Sequence, residues 1–212
     1  MSKTFKIPKI PYEKEQMFQK TQVTFNPGIS VLIGCNGSGK STLLSLIKNQ
    51  LNNKEIPYLS YDNLSQGGFN AKEKALGYCN FELANVLMSS SEGEQIFINF
   101  GQMVTSLRQF VTENKDAKEI WILFDAIDSG LSIDNIVEIK AFINNKLIKE
   151  NQHMDVYVLI SANSYEMCRN SQCFDVRNCK YRLIRTYHEF SKFILRSREL
   201  KDIRIKDAYK TN

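Results

Sequence analysis

Residues 34–42 read Gly34-Cys35-Asn36-Gly37-Ser38-Gly39-Lys40-Ser41-Thr42, a glycine-rich stretch closed by a lysine and two hydroxyls. It fits in full the pattern of glycine, any four residues, glycine, lysine, then serine or threonine. Before it, Val31-Leu32-Ile33 is a short buried-strand pattern ending at Gly34. After it, Leu43, Leu44, Ile47 and Leu51 recur at helical spacing, which predicts a helix over Ser41–Leu51. Strand, glycine loop and helix in this order are the context that gives the motif its chemistry. The glycines let the chain curl so that consecutive N–H groups point inward, and the helix N-terminus adds the positive end of its dipole. Gly34, Asn36, Gly37, Ser38, Gly39 and Thr42 would build this cradle, Lys40 would reach the β- and γ-phosphates, and Ser41 would offer its hydroxyl to Mg²⁺. A chance glycine-rich turn leaves both flanks unexplained, so the expectation is a site for a nucleoside triphosphate.

Outward from this loop, Ile120–Phe124 and Val156–Ile160 read as buried strands, and Tyr58–Tyr61 alternates like a strand before the polar turn Asp62–Gly68. Ile96, Phe100, Met103, Leu107 and Phe110 predict a long helix starting at Glu92. Ile133, Ile136, Val137, Ile143 and Leu147 predict another, with Lys140 interrupting its stripe. Strands alternating with helices define an α/β class, a P-loop nucleotide-binding fold with a largely parallel sheet flanked by helices. The first apolar strand after the long helix ends in Asp125, so its carboxylate falls at the sheet's C-terminal edge, where it can hold Mg²⁺. The competing reading is an aspartate that only caps the next turn.

At 212 residues, 42% hydrophobic and 24% charged, the chain suits one globular domain with at most a small appendage. Its apolar runs are one strand long, far short of a bilayer span, which excludes a membrane role by helix insertion. Five cysteines do not form a disulfide framework, and a reducing cytoplasm is the expected home. Cys168, Cys173, Cys179 and His188 lack the paired spacing of a zinc site. The net charge of +5 is uneven: from Arg177 to the end, eleven Lys and Arg face four acids, while the first 176 residues carry a small negative excess. The chain therefore divides into a nucleotide-binding part, residues 1–176, and a basic strand and helix extension, residues 177–212. That extension suits a nucleic acid or another anionic partner, or is an amphipathic helix with a solvated charged face. Its strand is expected at Tyr181–Ile184 and its helix at His188–Leu200.

Ser89-Ser90-Ser91-Glu92-Gly93-Glu94-Gln95, at the head of the long helix, resembles the signature of ABC-type ATPases. Its form is that of their chromosome-maintenance (SMC-like) and RecF-like relatives. Asp125-Ala126-Ile127-Asp128-Ser129-Gly130-Leu131-Ser132 resembles that family's Walker B strand and D-loop, and Asn163 falls at the position of its switch histidine. Gln66 is the Q-loop candidate, a further ligand for Mg²⁺ beside Ser41 and Asp125. These elements follow family order over about residues 20–165. The resemblance implies a head-to-tail dimer closed on two ATP molecules, in which Ser91 and Gly93 contact the γ-phosphate bound by the other subunit. Ser91 with Glu94 is also a plain capping box, and both roles can coexist. The resemblance makes Lys40, Asp125, Asp128 and Asn163 the candidate catalytic set.

Three positions depart from the family. Ala126 stands where a glutamate usually polarises the attacking water, Asn163 replaces the histidine, and Ser132 closes the D-loop. Hydrolysis is therefore expected to be slow unless Asp128 or another carboxylate substitutes. Only residues 67–88 separate Gln66 from the signature, too few for a transporter's helical subdomain or a coiled coil, so a compact stand-alone head is expected. Two outputs remain open: an ATPase that acts on a partner protein or nucleic acid, and an ATP-gated switch or scaffold that controls a separate effector. Tyr12 and Phe18 are weak candidates to stack on adenine, against the commoner role of core aromatics.

Overall fold

In the strands Gly28–Ile33, Glu119–Asp125 and Asp155–Ser161 the side chains alternate between two apolar layers, because successive Cβ atoms leave a strand on opposite faces. The computed structural model describes residues 1–9, 16–62 and 92–209, with the backbone alone at 92–100, 102, 208 and 209. Strands β1 (Lys3–Lys6) and β2 (Gln22–Phe25) form a separate antiparallel pair. β3 (Gly28–Ile33) leads into helix α1 (Lys40–Asn53), followed by β4 (Tyr58–Asp62). Helix α2 (Glu92–Glu113), β5 (Glu119–Asp125), α3 (Ile133–Phe142) and β6 (Asp155–Ser161) come next. The short helix α4 (Tyr165–Cys168), β7 (Gln172–Asp175), β8 (Lys180–Arg182) and the long helix α5 (Tyr187–Tyr209) complete the described chain.

The main sheet runs β4-β5-β6-β3-β7-β8, parallel throughout except that β8 is antiparallel to β7. Leu32, Trp121, Leu123, Tyr157 and Leu159 face α1 (Leu43, Leu44, Ile47, Leu51) and the β1–β2 pair (Phe5, Val23, Phe25). Val31, Ile33, Ile120, Ile122, Phe124, Val158 and Ile160 face the other layer, built from Met103 and Leu107 of α2 and Ile136 and Ile139 of α3. Both faces are covered, as a parallel sheet requires. This is the α/β P-loop fold expected from the sequence, and the expected long helix is present over Glu92–Glu113.

Three elements differ from expectation. Regular α-helix ends at Phe142, and a wider turn over Ile143–Ile148 carries the chain on, with Ile143 and Leu147 still buried. β8 stops at Arg182, yet Ile184 is buried in the second core layer. α5 runs nine residues past Leu200. Its start is set by Thr186, whose Oγ1 accepts the Glu189 N–H at 3.2 Å while Glu189 Oε2 accepts the Arg185 N–H at 2.8 Å, a reciprocal cap. Phe190 is buried, and Phe193 and Ile194 pack on the same layer, so the basic extension is docked on the domain. Among the described residues no helix is long and apolar enough to cross a membrane.

Candidate nucleotide site

The loop between β3 and α1 has the backbone shape its glycines permit. Gly39, at the head of α1, has φ 102°, and a Cβ there would come within 2.6 Å of Met17 Sδ, so a side chain is doubly excluded. A Cβ on Gly34 would collide with Ser38 Oγ, which marks how tightly the loop closes on itself. Ser38 N–H donates to the Cys35 carbonyl at 3.1 Å and pins this curl.

Lys40 folds back over the loop. Its Nζ donates to the carbonyls of Gly34 at 2.7 Å and Cys35 at 3.3 Å, and the residue is only 7% exposed. Burial lowers its pKa from the usual lysine range, and the nearby Cys35, Asp128 and Asp125 oppose that shift. Ser41 and Thr42 are exposed in the first turn of α1.

Asp125 ends β5, one strand removed from β3, since β6 lies between them. Its Oδ1 is buried with no hydrogen-bond partner. Asp128 is 6% exposed, and its Oδ2 accepts the N–H groups of Asn163 at 2.7 Å and Ser164 at 2.6 Å. The turn after β5 is thereby tied to the turn after β6, and Asp128 Oδ1 stays buried without a partner. Between the aspartates, Ala126 is buried with φ 51°, a left-handed conformation for a residue with a Cβ. Asn163, held through its backbone, leaves its side chain exposed beside the phosphate loop.

Lys40, Asp125, Asp128 and Asn163 thus gather with the loop at the C-terminal edge of the parallel sheet, where open α/β sheets bind ligands. Gly93 lies in the first turn of α2; Ser91, Gln66 and Tyr12 lie outside the described residues. Phe18 is buried in the core beside Gly39. Cys173 Sγ points at the Cys168 carbonyl at 3.5 Å, and the described residues hold no group of three or more His, Cys, Asp or Glu that could bind a metal.

Sequence reasoning missed one contributor. Ser197 and Lys201 of α5 reach the phosphate loop: Ser197 Oγ accepts the Cys35 N–H at 3.1 Å, and Lys201 Nζ donates to the Asn36 carbonyl at 3.3 Å. The available signal was their spacing with Ile194, which puts all three residues on one helical face.

This fold and site define a P-loop ATPase of the AAA class. Its family follows from a direct match: residues 16–211 fit the model described as AAA domain, and the chain belongs to that family. Among solved structures it is similar to the ADP conformation of MJ1267, an ATP-binding cassette of an ABC transporter. That pair shares 14% identity at a TM-score of 0.47, over 100% of this chain and 98% of the other. No curated protein matches the chain.

Proposed function

We propose that this chain is an ABC-type ATPase head, similar to SMC-like and RecF-like heads, that binds Mg²⁺·ATP, dimerises on it and acts on a partner. The observation that carries this reading is the buried Lys40 at the curled loop with Asp125, Asp128 and Asn163 around it. Two buried carboxylate oxygens without partners, Asp125 Oδ1 and Asp128 Oδ1, suit a hard cation, which takes oxygen ligands. Asp125 and Ser41, with Gln66, would hold Mg²⁺, which when bound neutralises charge on the β- and γ-phosphates. Lys40 exchanges its two carbonyl acceptors for phosphate oxygens. Asp128 holds Asn163 in place through the backbone.

Residues 1–176 would be the ATP-binding domain and 177–212 its docked basic extension. All four described cysteines are free thiols, which goes with a reducing, cytoplasmic setting. Two observations divide the possible outputs. Ala126 offers no base, and one oxygen of Asp128 is already committed to two N–H groups, which supports an ATP-gated switch with little turnover that controls an effector protein. The basic groove of β8 and α5 supports action on nucleic acid.

Calorimetry and light scattering with ATP and Mg²⁺ test the reading. Lys40→Ala should cost several-fold or more in ATP affinity, and equal binding by mutant and parent would sink the site. Ser91→Arg should still bind ATP yet lose ATP-dependent dimerisation, because the signature acts on the other subunit's nucleotide. A Ser91→Arg protein that dimerises like the parent would remove the ABC signature and the head-to-tail dimer with it.

A further inference from the structure

Helix α5 lies across the phosphate loop. Besides the Ser197–Cys35 and Lys201–Asn36 hydrogen bonds, Lys201 Cδ stands 3.4 Å from where a Cβ on Gly37 would sit. Between this helix, Gly34–Asn36 and Asn163 is a cavity of about 460 Å³, and Arg198 and Lys201 line its α5 side. No acid lines it. Asp202 stands 3.9 Å from Arg198 Nε and 3.7 Å from Lys201 Nζ, too long for a tight pair. Arg198 is 71% exposed at its side chain and so can turn. Ser38 Oγ and Arg204 Nη1 are buried without partners, and Ser38 and Arg204 line a second crevice with Arg177 and Lys201, the last shared with this cavity.

We propose that α5 is part of the nucleotide site: Arg198 and Lys201 grip the terminal phosphate of a bound nucleoside triphosphate from within the same chain, opposite Asn163. The proposal rests on the nucleotide reading above and adds a discriminating group to it. Lys201 now donates to a neutral carbonyl, and a phosphate oxygen is a stronger acceptor for the same ammonium. Arg198 can give two N–H groups to one phosphoryl face. A diphosphate leaves this cavity empty of charge, so the two cations separate tri- from diphosphate. The position of α5 then depends on which nucleotide is bound, because its phosphate-loop contacts are the ones the ligand replaces.

The test titrates the full chain with a β,γ-imido triphosphate and with ADP, both with Mg²⁺, by calorimetry. The variants are Arg198→Gln/Lys201→Gln, which keep a polar, hydrogen-bonding side chain but not the charge, and the matched exposed change Lys206→Gln. The double variant should lose about tenfold or more in triphosphate affinity, as charge-assisted bonds imply, and less than about twofold for ADP. Lys206→Gln should bind both like the parent. Equal losses for the two nucleotides, or none, would overturn the proposal while the phosphate loop stands. A Lys40→Ala protein that binds both nucleotides normally would overturn the nucleotide site itself, and this proposal with it.

Discussion

Lys40 is a cation held out of water by its own loop, and its pKa is lowered by that burial. Below the unfolded value of 10.5, a lysine with a depressed folded pKa binds fewer protons folded than unfolded, so its contribution to stability rises with pH across that window. A polyphosphate beside the ammonium favours the charged form and pulls the pKa back up. ATP binding should therefore take up protons above about pH 8, where the phosphates are already fully ionised, and uptake should grow with pH. Calorimetry in buffers of different ionisation enthalpy measures it; proton release, or uptake unchanged in Lys40→Met, would assign the effect elsewhere. Ala126 gives a second residue-scale test. Glutamate there should raise hydrolysis, by as much as 10²–10⁴-fold on the order of magnitude for a positioned base, at similar ATP affinity. The position is only 7% exposed and already left-handed, so the same change should lower the melting temperature. An unchanged rate would mean that another carboxylate already serves or that Ala126 is misaligned for the water.

At the scale of elements, α5 is anchored at its start and over the site, and the two anchors can be weighed. Thr186→Ala removes the reciprocal cap and should cost about 1 kcal/mol. Ser197→Ala leaves the buried Cys35 N–H without its acceptor and should cost roughly 1–3 kcal/mol. Urea unfolding compares them; a Ser197→Ala loss smaller than that of Thr186→Ala would show that the loop contact contributes little. The helix and its packing on the domain were legible because Phe190, Phe193 and Ile194 mark an apolar stripe, but its reach over the phosphate loop was not. Its site-facing positions are Ser197, Arg198 and Lys201, which by composition belong to a solvated face. β3, β5 and β6 were legible because strands covered on both faces are continuous apolar runs. β1, β2 and β7 have four residues each and half-polar patterns, too short for periodicity to register, whereas β8 was read at Tyr181–Ile184 and lies at Lys180–Arg182. At the site, the loop and Asp125 followed from local pattern. The Asp128 bond to Asn163 and Ser164 joins residues 35 and 36 positions apart, a pairing that only the β5–β6 register creates.

For the whole molecule, the charge asymmetry becomes a place. Arg182 and Arg185, at and just after β8, and Lys192 and Arg196 of α5 line a groove of about 550 Å³ with Phe193, and among the described residues Glu189 is the acid that lines it. Arg182 lies over the Phe193 ring at 5.1 Å, so a planar cation and an aromatic are already stacked where a base could join them. Deleting residues 177–212 would not test this groove, because Ile184 and Phe190 are core residues and their loss would damage the domain. Charge removal keeps the core: Arg182→Gln, Arg185→Gln, Lys192→Gln and Arg196→Gln together. If the groove tracks a phosphate backbone, the parent's affinity for a short DNA or RNA strand should fall linearly in log–log plots against salt. The quadruple variant should flatten that line by roughly 0.7 per lost phosphate contact on a single strand. Equal melting temperatures for the two proteins, together with unchanged ATP binding, would exclude a folding effect. A parent that binds neither nucleic acid, or binds with no salt dependence, would rule out the nucleic-acid output and leave the ATP-gated switch acting on a protein.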